Sequence, residues 1–296
     1  MSVSDFIIFV FCIIDDQMKK LNLKHLRHRG FQPGLTDSET ITLEIVGEFL
    51  EIDTDKGIWK YFKTHWQHFF PKIPCRTTFV RQAANLWRVK QLLQEDLAKA
   101  CGASDDILHV IDRLPMKVCT FGHANNCRIL KGMARYGYCA AKNEHYYGFK
   151  GHLVISSEGI ISSSNVTAAN VDERDVAPSI TTGIHCLLLG DKGYIRPELT
   201  QDMRERGLKL ITPVRSNMQE GIWEKAKDFF GNARRIIETV ISQLSERLNI
   251  EVVRARDVWH LTSRWFRKIL AHTTAVWINK MRNANNLDFD GLITSP

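Results

Sequence analysis

The sequence predicts an α/β fold: a mixed sheet flanked by helices, preceded by an all-helical region. Three observations lead there. Residues 1 to about 100 read as helical. From Ile107 onward, short apolar runs of strand length alternate with helical stretches. One segment, YYGFKGHLVISSEGIISSSNVTAAN, alternates and turns at Glu158-Gly159 as a β-hairpin does. Antiparallel pairing in the same domain as strand–helix alternation requires a mixed sheet.

Each element follows from local chemistry. The run Phe6 to Ile14 (FIIFVFCII) is too short to span a bilayer and lacks the flanks of a signal peptide, so it reads as a buried helix start. After the break at Pro33-Gly34, Thr36 or Asp37 can cap a helix whose Ile41, Ile45, Val46 and Phe49 share one face. GIWKYFKTHWQHFFP is a further helix, ended by Pro71. The turn KIPC then leads into RTTFVRQAANLWRVKQLLQEDLAKA, with Thr77 as the expected cap. There Phe79, Ala83, Leu86 and Leu93 face one way, and Arg81, Gln82, Asn85 and Arg88 another.

A helix, short turn and second helix projecting Arg, Gln and Asn is what a DNA-reading helix-turn-helix needs. The alternative is a helical bundle with a solvated polar face. The aromatic set Trp59, Tyr61, Phe62, Trp66, Phe69 and Phe70 reads as core. The basic stretch Lys19 to Arg29 is either a phosphate contact or a solvated charge run.

In the second half, Ile107 to Ile111 is a buried strand carrying His109 as a core histidine. A capped helix follows Asn170. CLLLG is a strand, Pro197 to Arg206 a helix, and LKLITPV a strand. The chain is helical again from about Arg234 to Met281. The expected division is a helical DNA-binding domain over 1–102, a catalytic domain over 103–283 and a polar tail over 284–296.

Composition bounds the function. The 296 residues are 44% hydrophobic and 25% charged, enough apolar material for a real core. Forty Lys and Arg against 33 Asp and Glu give a formal charge of +7, which favours a polyanionic partner. The seven cysteines are odd in number and contain no CxxC, which argues against a disulfide framework and for a reducing cytoplasm, with no membrane. Cys119, His123, Cys127 and Cys139 do not match paired zinc-ligand spacing, and ordinary thiols are the preferred reading.

Three acids carry the chemistry. Asp112 ends the strand ILHVID, Asp191 follows the strand CLLLG, and Glu238 lies on the helix ARRIIETVISQL, opposite an apolar stripe of Ile237, Val240, Ile241, Leu244 and Leu248. Sites in such sheets form at the carboxyl ends of strands, where both aspartates fall. Three converging carboxylates suit Mg²⁺, a hard cation that prefers oxygen ligands. With a basic chain, that points to cutting and joining nucleic acid. Arg234 and Glu238 are neighbours at i and i+4: either the arginine grips a phosphate or the two form a surface ion pair. Asp172, Glu173 and Asp175 fall at a helix start, where negative charge is favourable in any case.

The segments DTDKGIWKYF, RTTFVRQAANLW, IDRLPMKVC, YYGFKGHLV, VTAANVDE, GDKGY and RRIIETVISQL together resemble the DDE transposases of bacterial insertion sequences, and within them the insertion-sequence 982 family. The resemblance implies a ribonuclease H-like catalytic fold with Asp112, Asp191 and Glu238 as the catalytic and metal-binding triad. It also implies two Mg²⁺ ions (Mn²⁺ as a substitute), double-stranded DNA with terminal inverted repeats and target DNA as partners, and a homodimer in the synaptic complex. Arg234, Arg235, Lys150, Lys192, Arg81, Asn85 and Arg88 are the expected DNA contacts. The chain departs from relatives at three places: Gly231 replaces a Tyr and Ser245 a Lys on the glutamate helix, and Arg113 replaces a small Ser after the first aspartate. A bulky cation at 113 would compete with metal, and that departure together with the missing lysine motivates the alternative of a catalytically inactive or domesticated DNA-binding relative.

Overall fold

The computed structural model describes residues 1–23, 32–140, 142–213 and 227–293. Part of the basic stretch Lys19 to Arg29 therefore lies outside the described residues. The chain forms two compact units: Met1–Leu97 with Leu244–Ile250 and Arg254–Pro296, and Ala98–Gln243 with Glu251–Val253.

The first unit is helical. Helix α1 (Val3–Lys20) is capped by Ser2 and buries Phe6, Val10 and Ile14. Helix α2 (Asp37–Phe49) starts with a capping box, in which the Thr36 hydroxyl accepts from the Glu39 amide and the Glu39 carboxylate accepts from the Thr36 amide. Helix α3 (Asp55–His65) buries Ile58 and Phe62. Of the aromatic set expected in the core, Phe62 and Phe70 are buried and Phe69 is exposed.

The long helix expected from Thr77 is instead two helices, α4 (Arg76–Asn85) and α5 (Trp87–Ala100), joined at Leu86. Cys75 occupies the cap position, and Thr77 lies inside the first turn. Gln82, expected to project, is tied down: its amide donates to the Leu35 carbonyl at 3.0 Å and to Asp37 at 3.1 Å.

Helical periodicity predicts one helix from about Arg234 to Met281, within the second half. The structure breaks it. Helix α8 (Lys227–Ser242) runs into a π turn over Gln243–Arg247, and helix α9 (Val258–Met281), capped by Asp257, follows a non-helical stretch. Helix α9 packs with α2 and α4 in the first unit.

The reason is a buried charge network. Lys90 reaches Glu44 at 2.8 Å, the Ser263 hydroxyl at 2.7 Å and the Ala83 carbonyl at 3.1 Å. Arg267 pairs with Glu48 and Asp55, Lys268 with Glu48 and Asp53, and Arg264 with Asp53. Lys90, Glu44, Glu48, Arg267 and Lys268 are all buried. Burial pushes the Glu44 carboxyl up and the Lys90 amine down. Burial also opposes the charge on Arg267, but Glu48, Asp55 and Glu44 outweigh it and hold its proton more tightly than usual.

The second unit is a six-stranded mixed sheet. Strands β1 (Leu108–Thr120), β2 (Arg135–Cys139), β3 (Glu144–Ser156), β4 (Ile161–Ala168), β5 (Cys186–Leu189) and β6 (Leu208–Ile211) follow the order β2-β3-β1-β5-β6, with β4 on β3. The β3–β4 hairpin turns at Gly159, whose φ of +81° suits a residue without Cβ. Asp106 pins that turn by accepting from the Ser157 amide and hydroxyl. Strand β1 runs well past the expected Ile111 because it stays antiparallel to β3 as far as Thr120. It pairs with β5, in parallel, only at its start. Helices α6 (Glu173–Ile180, capped by Asp172) and α7 (Pro197–Glu205) cover one face, burying Ile111, Val154, Val176, Ile180, Leu188 and Met203. Helix α8 lies against β1. This is a ribonuclease H-like arrangement.

Breaking one buried pair in the first unit strands a charge. Arg267→Met should lower unfolding stability by about 3–5 kcal/mol in denaturant titrations, and Arg81→Ala by less than about 0.5 kcal/mol. Equal losses would show that the network contributes no more than a surface residue.

Candidate active site

The β1–β5 register creates the site. Val110 pairs with Leu189, the last parallel pair, so Asp112 and Asp191 each lie two residues beyond it. Asp112 remains in β1, where its Oδ1 accepts from the Arg113 amide at 2.7 Å. Asp191 leaves β5 and caps a 3₁₀ turn over Lys192–Tyr194, its Oδ1 accepting from the Gly193 amide at 2.8 Å. Glu238 comes from α8, whose buried Ile237 and Val240 set the helix face. Asp112, Asp191, Arg234 and Glu238 line one cleft.

Electrostatics tie the two aspartates together. The Asp112 carboxyl is pushed up to about 6, first by burial and then by the charge of Asp191, against the lowering pull of Arg113 and Arg234. Tyr194 lies under the same influence: burial, then Asp112 and Asp191, drive its hydroxyl well above the ordinary phenol range. The Tyr194 hydroxyl is buried and has no hydrogen-bond partner among the described residues. An orphaned buried donor and two mutually repelling carboxylates fit a bound cation with its water shell, because positive charge relieves the repulsion. Asp112, Asp191 and Glu238 would supply the oxygens.

As the side chains stand, no three His, Cys, Asp or Glu groups among the described residues are gathered closely enough to hold an ion. At this cleft, Glu238 instead pairs with Arg234 at 3.3 Å, both side chains more than half exposed. Such a pair is worth little, so the glutamate can leave it at small cost.

The remaining predicted contacts divide. Arg235 is exposed on α8 and bonds Asn232 at 2.6 Å, and Lys192 is exposed beside Asp191. Lys150 is mostly buried and donates to the Val171 carbonyl at 2.8 Å. Arg81, Asn85 and Arg88 are exposed residues of the first unit. The cysteines among the described residues are free thiols, and Cys119 is pushed up to about 11 by burial and by a hydrogen bond with the Cys127 thiol.

From sequence, Glu173 is ordinary helix-start charge and Arg113 a rival of the metal. The structure joins them. Arg113 is ion-paired with Glu173, which also holds Lys150 at 3.3 Å. The adjoining His152 is pushed down to about 4 by burial and then by Lys150 and Arg113. A Cβ on Gly193 would meet Asp191 Oδ1 at 2.8 Å and Glu173 Oε1 at 2.9 Å, so this loop position must stay small. The one sequence signal was the adjacency of acids in VDER to a strand that ends near the site.

An acid with a raised folded-state pKa costs stability when it ionises. Below the unfolded-chain value Asp112 is protonated in both states; as pH rises from there to about 6 the folded state loses ground, and above that the loss is complete. Asp112→Asn should therefore match the parent protein near pH 4 and exceed it near pH 8 by on the order of 1–2 kcal/mol, allowing for partial solvent screening. Identical melting at both pH values would mean that no burial penalty rests on this carboxyl.

Comparison with known proteins follows from this geometry. A family model described as a transposase DDE domain matches residues 102–258. Among solved structures, the cryo-EM structure of a piggyBac transposase synaptic complex with hairpin DNA aligns over 97% of this chain and 78% of that one, at 10% identity and a TM-score of 0.48. A likeness of that size supports no conclusion about this chain. No curated protein sequence matches. The family match spans more than half of the residues and takes in Asp112, Asp191 and Glu238, and the chain belongs to the DDE transposase domain family.

Proposed function

We propose that the chain is an insertion-sequence transposase, of the insertion-sequence 982 type and acting in a bacterial cytoplasm, that binds the terminal inverted repeats of its element on double-stranded DNA. It cuts there and joins the freed end to target DNA. The observation that supports this reading is the cleft lined by Asp112, Asp191, Glu238 and Arg234, just beyond the last β1–β5 backbone pair. Domains of this family generally work with divalent metal ions. A pair of Mg²⁺ ions, or Mn²⁺ in their place, would supply charge stabilisation for the attacking and departing oxygens of an in-line displacement.

The chain's own groups do the rest. Asp112, Asp191 and Glu238 would hold the ions through their carboxylate oxygens. The Gly193 amide donates to one oxygen of the Asp191 carboxylate and so holds that group at the cleft. Arg234, released from Glu238, has a guanidinium free to take a phosphate oxygen, and Arg235 and Lys192 extend the basic surface. Arg81, Asn85 and Arg88, exposed on the helical unit, are the proposed readers of the repeat. Synapsis of two ends calls for a homodimer. Arg113 after the first aspartate and Ser245 at the lysine position favour a second reading, a catalytically inactive or domesticated DNA-binding relative.

The test uses the purified full chain with duplex DNA carrying candidate element ends, with and without Mg²⁺ or Mn²⁺. Asp112→Asn, Asp191→Asn and Glu238→Gln should each reduce nicking by more than about a hundredfold and leave binding unchanged. Parent protein that binds but nicks with neither metal decides for the inactive reading. Metal should also raise the parent's melting temperature at neutral pH, a gain absent in Asp112→Asn.

A further inference from the structure

A second cleft adjoins the first at the same two aspartates. Asp112 and Asp191 form its near end, Pro115 and Tyr146 line it, and Arg113 and Lys150 supply its charge. Both cations are bound by one carboxylate, that of Glu173, so the group carries a positive surplus. The crowding at Gly193 shows how close this group stands to Asp191, since an added Cβ would lie 2.9 Å from Glu173 and 3.4 Å from Arg113. Lys150 is anchored further by the Val171 carbonyl, which fixes its amine at the cleft.

Two clefts that share a pair of acids suit a ligand that passes across those acids. A DNA strand does so: with one phosphate at the aspartates, its neighbours fall to either side. Arg234 lines the cleft on one side. Arg113 and Lys150 line the other. A guanidinium offers paired donors in a plane that match two phosphate oxygens, and an ammonium adds a point charge.

We propose that Arg113 and Lys150 bind the phosphate adjacent to the scissile one on the strand being cut, and that Glu173 holds both cations in place before the strand arrives. This deepens the transposase reading and rests on it. Glu173 then acts as a positioning residue, standing where a phosphate would take over its bonds to Arg113. The arginine after the first aspartate is, on this account, a strand contact in place of a competitor for metal.

The probe is a fluorescent oligothymidylate of about 20 nucleotides, titrated with the full chain without metal over a range of KCl concentrations. Arg113→Gln with Lys150→Gln should weaken binding about tenfold and reduce the slope of log affinity against log salt by about 0.7 for each phosphate no longer neutralised. Arg113→Lys, which keeps the charge, should keep the slope. Glu173→Gln removes the competing carboxylate and should tighten binding severalfold. An unchanged slope in a double variant that melts like the parent overturns the proposal, and so does unchanged binding in Glu173→Gln. If the double variant fails to fold, Glu173→Gln decides alone. Unaltered nicking and binding of element ends in these variants would sink only the second cleft, whereas a parent that binds no DNA in any arm removes the transposase reading as well.

Discussion

Three parallel backbone pairs govern the catalytic unit. Leu108, His109 and Val110 pair with Leu187, Leu188 and Leu189, and the pairing then stops because β5 ends. Side chains alternate along a strand, so equal offsets from one register pair bring Asp112 and Asp191 to the same end of the sheet. A slip of one residue would turn one of the two aspartates away from the other. The helix carrying Glu238 then needs only to pack its apolar face against β1.

Much of this was legible in the sequence. Apolar runs of strand length located β1, β5 and β6, the alternating hairpin located β3 and β4, and the acids at the ends of two runs located the cleft. The helix start was visible as a cap at Thr36 or Asp37; the structure takes Thr36 and completes a capping box with Glu39. The features that escaped depend on distant partners. Strand β1 continues through Arg113, Pro115 and Lys117 because β3 pairs with it, which no local pattern encodes. Strand β2 (RYGYC) is too exposed to show an apolar face. Glu173 has the local setting of helix-start charge, and its pairing with Arg113 emerges only when the fold packs α6 against β3.

The helical unit was the less readable of the two. Glu44, Glu48, Lys90, Arg267 and Lys268 have the spelling of solvated helix faces, yet all five are buried against one another. Buried charges on this scale trade stability for a single arrangement: a partner misplaced by one turn leaves an acid or a base without compensation. The same network explains why α9 packs where it does, since three of its cations answer acids on α2 and on the turn at Asp53 and Asp55.

That dependence has a consequence for synthesis. Chains emerge from the ribosome amino-terminus first, and domains generally fold as they appear. Here Glu48 and Asp53 are made more than 200 residues before Arg264, Arg267 and Lys268, the bases that neutralise them. The opening helices must wait, partly charged and incompletely closed, while the whole nuclease-like sheet is translated. The protein's first-made unit is thus the last to be finished, so a truncated product would lack a completed helical unit.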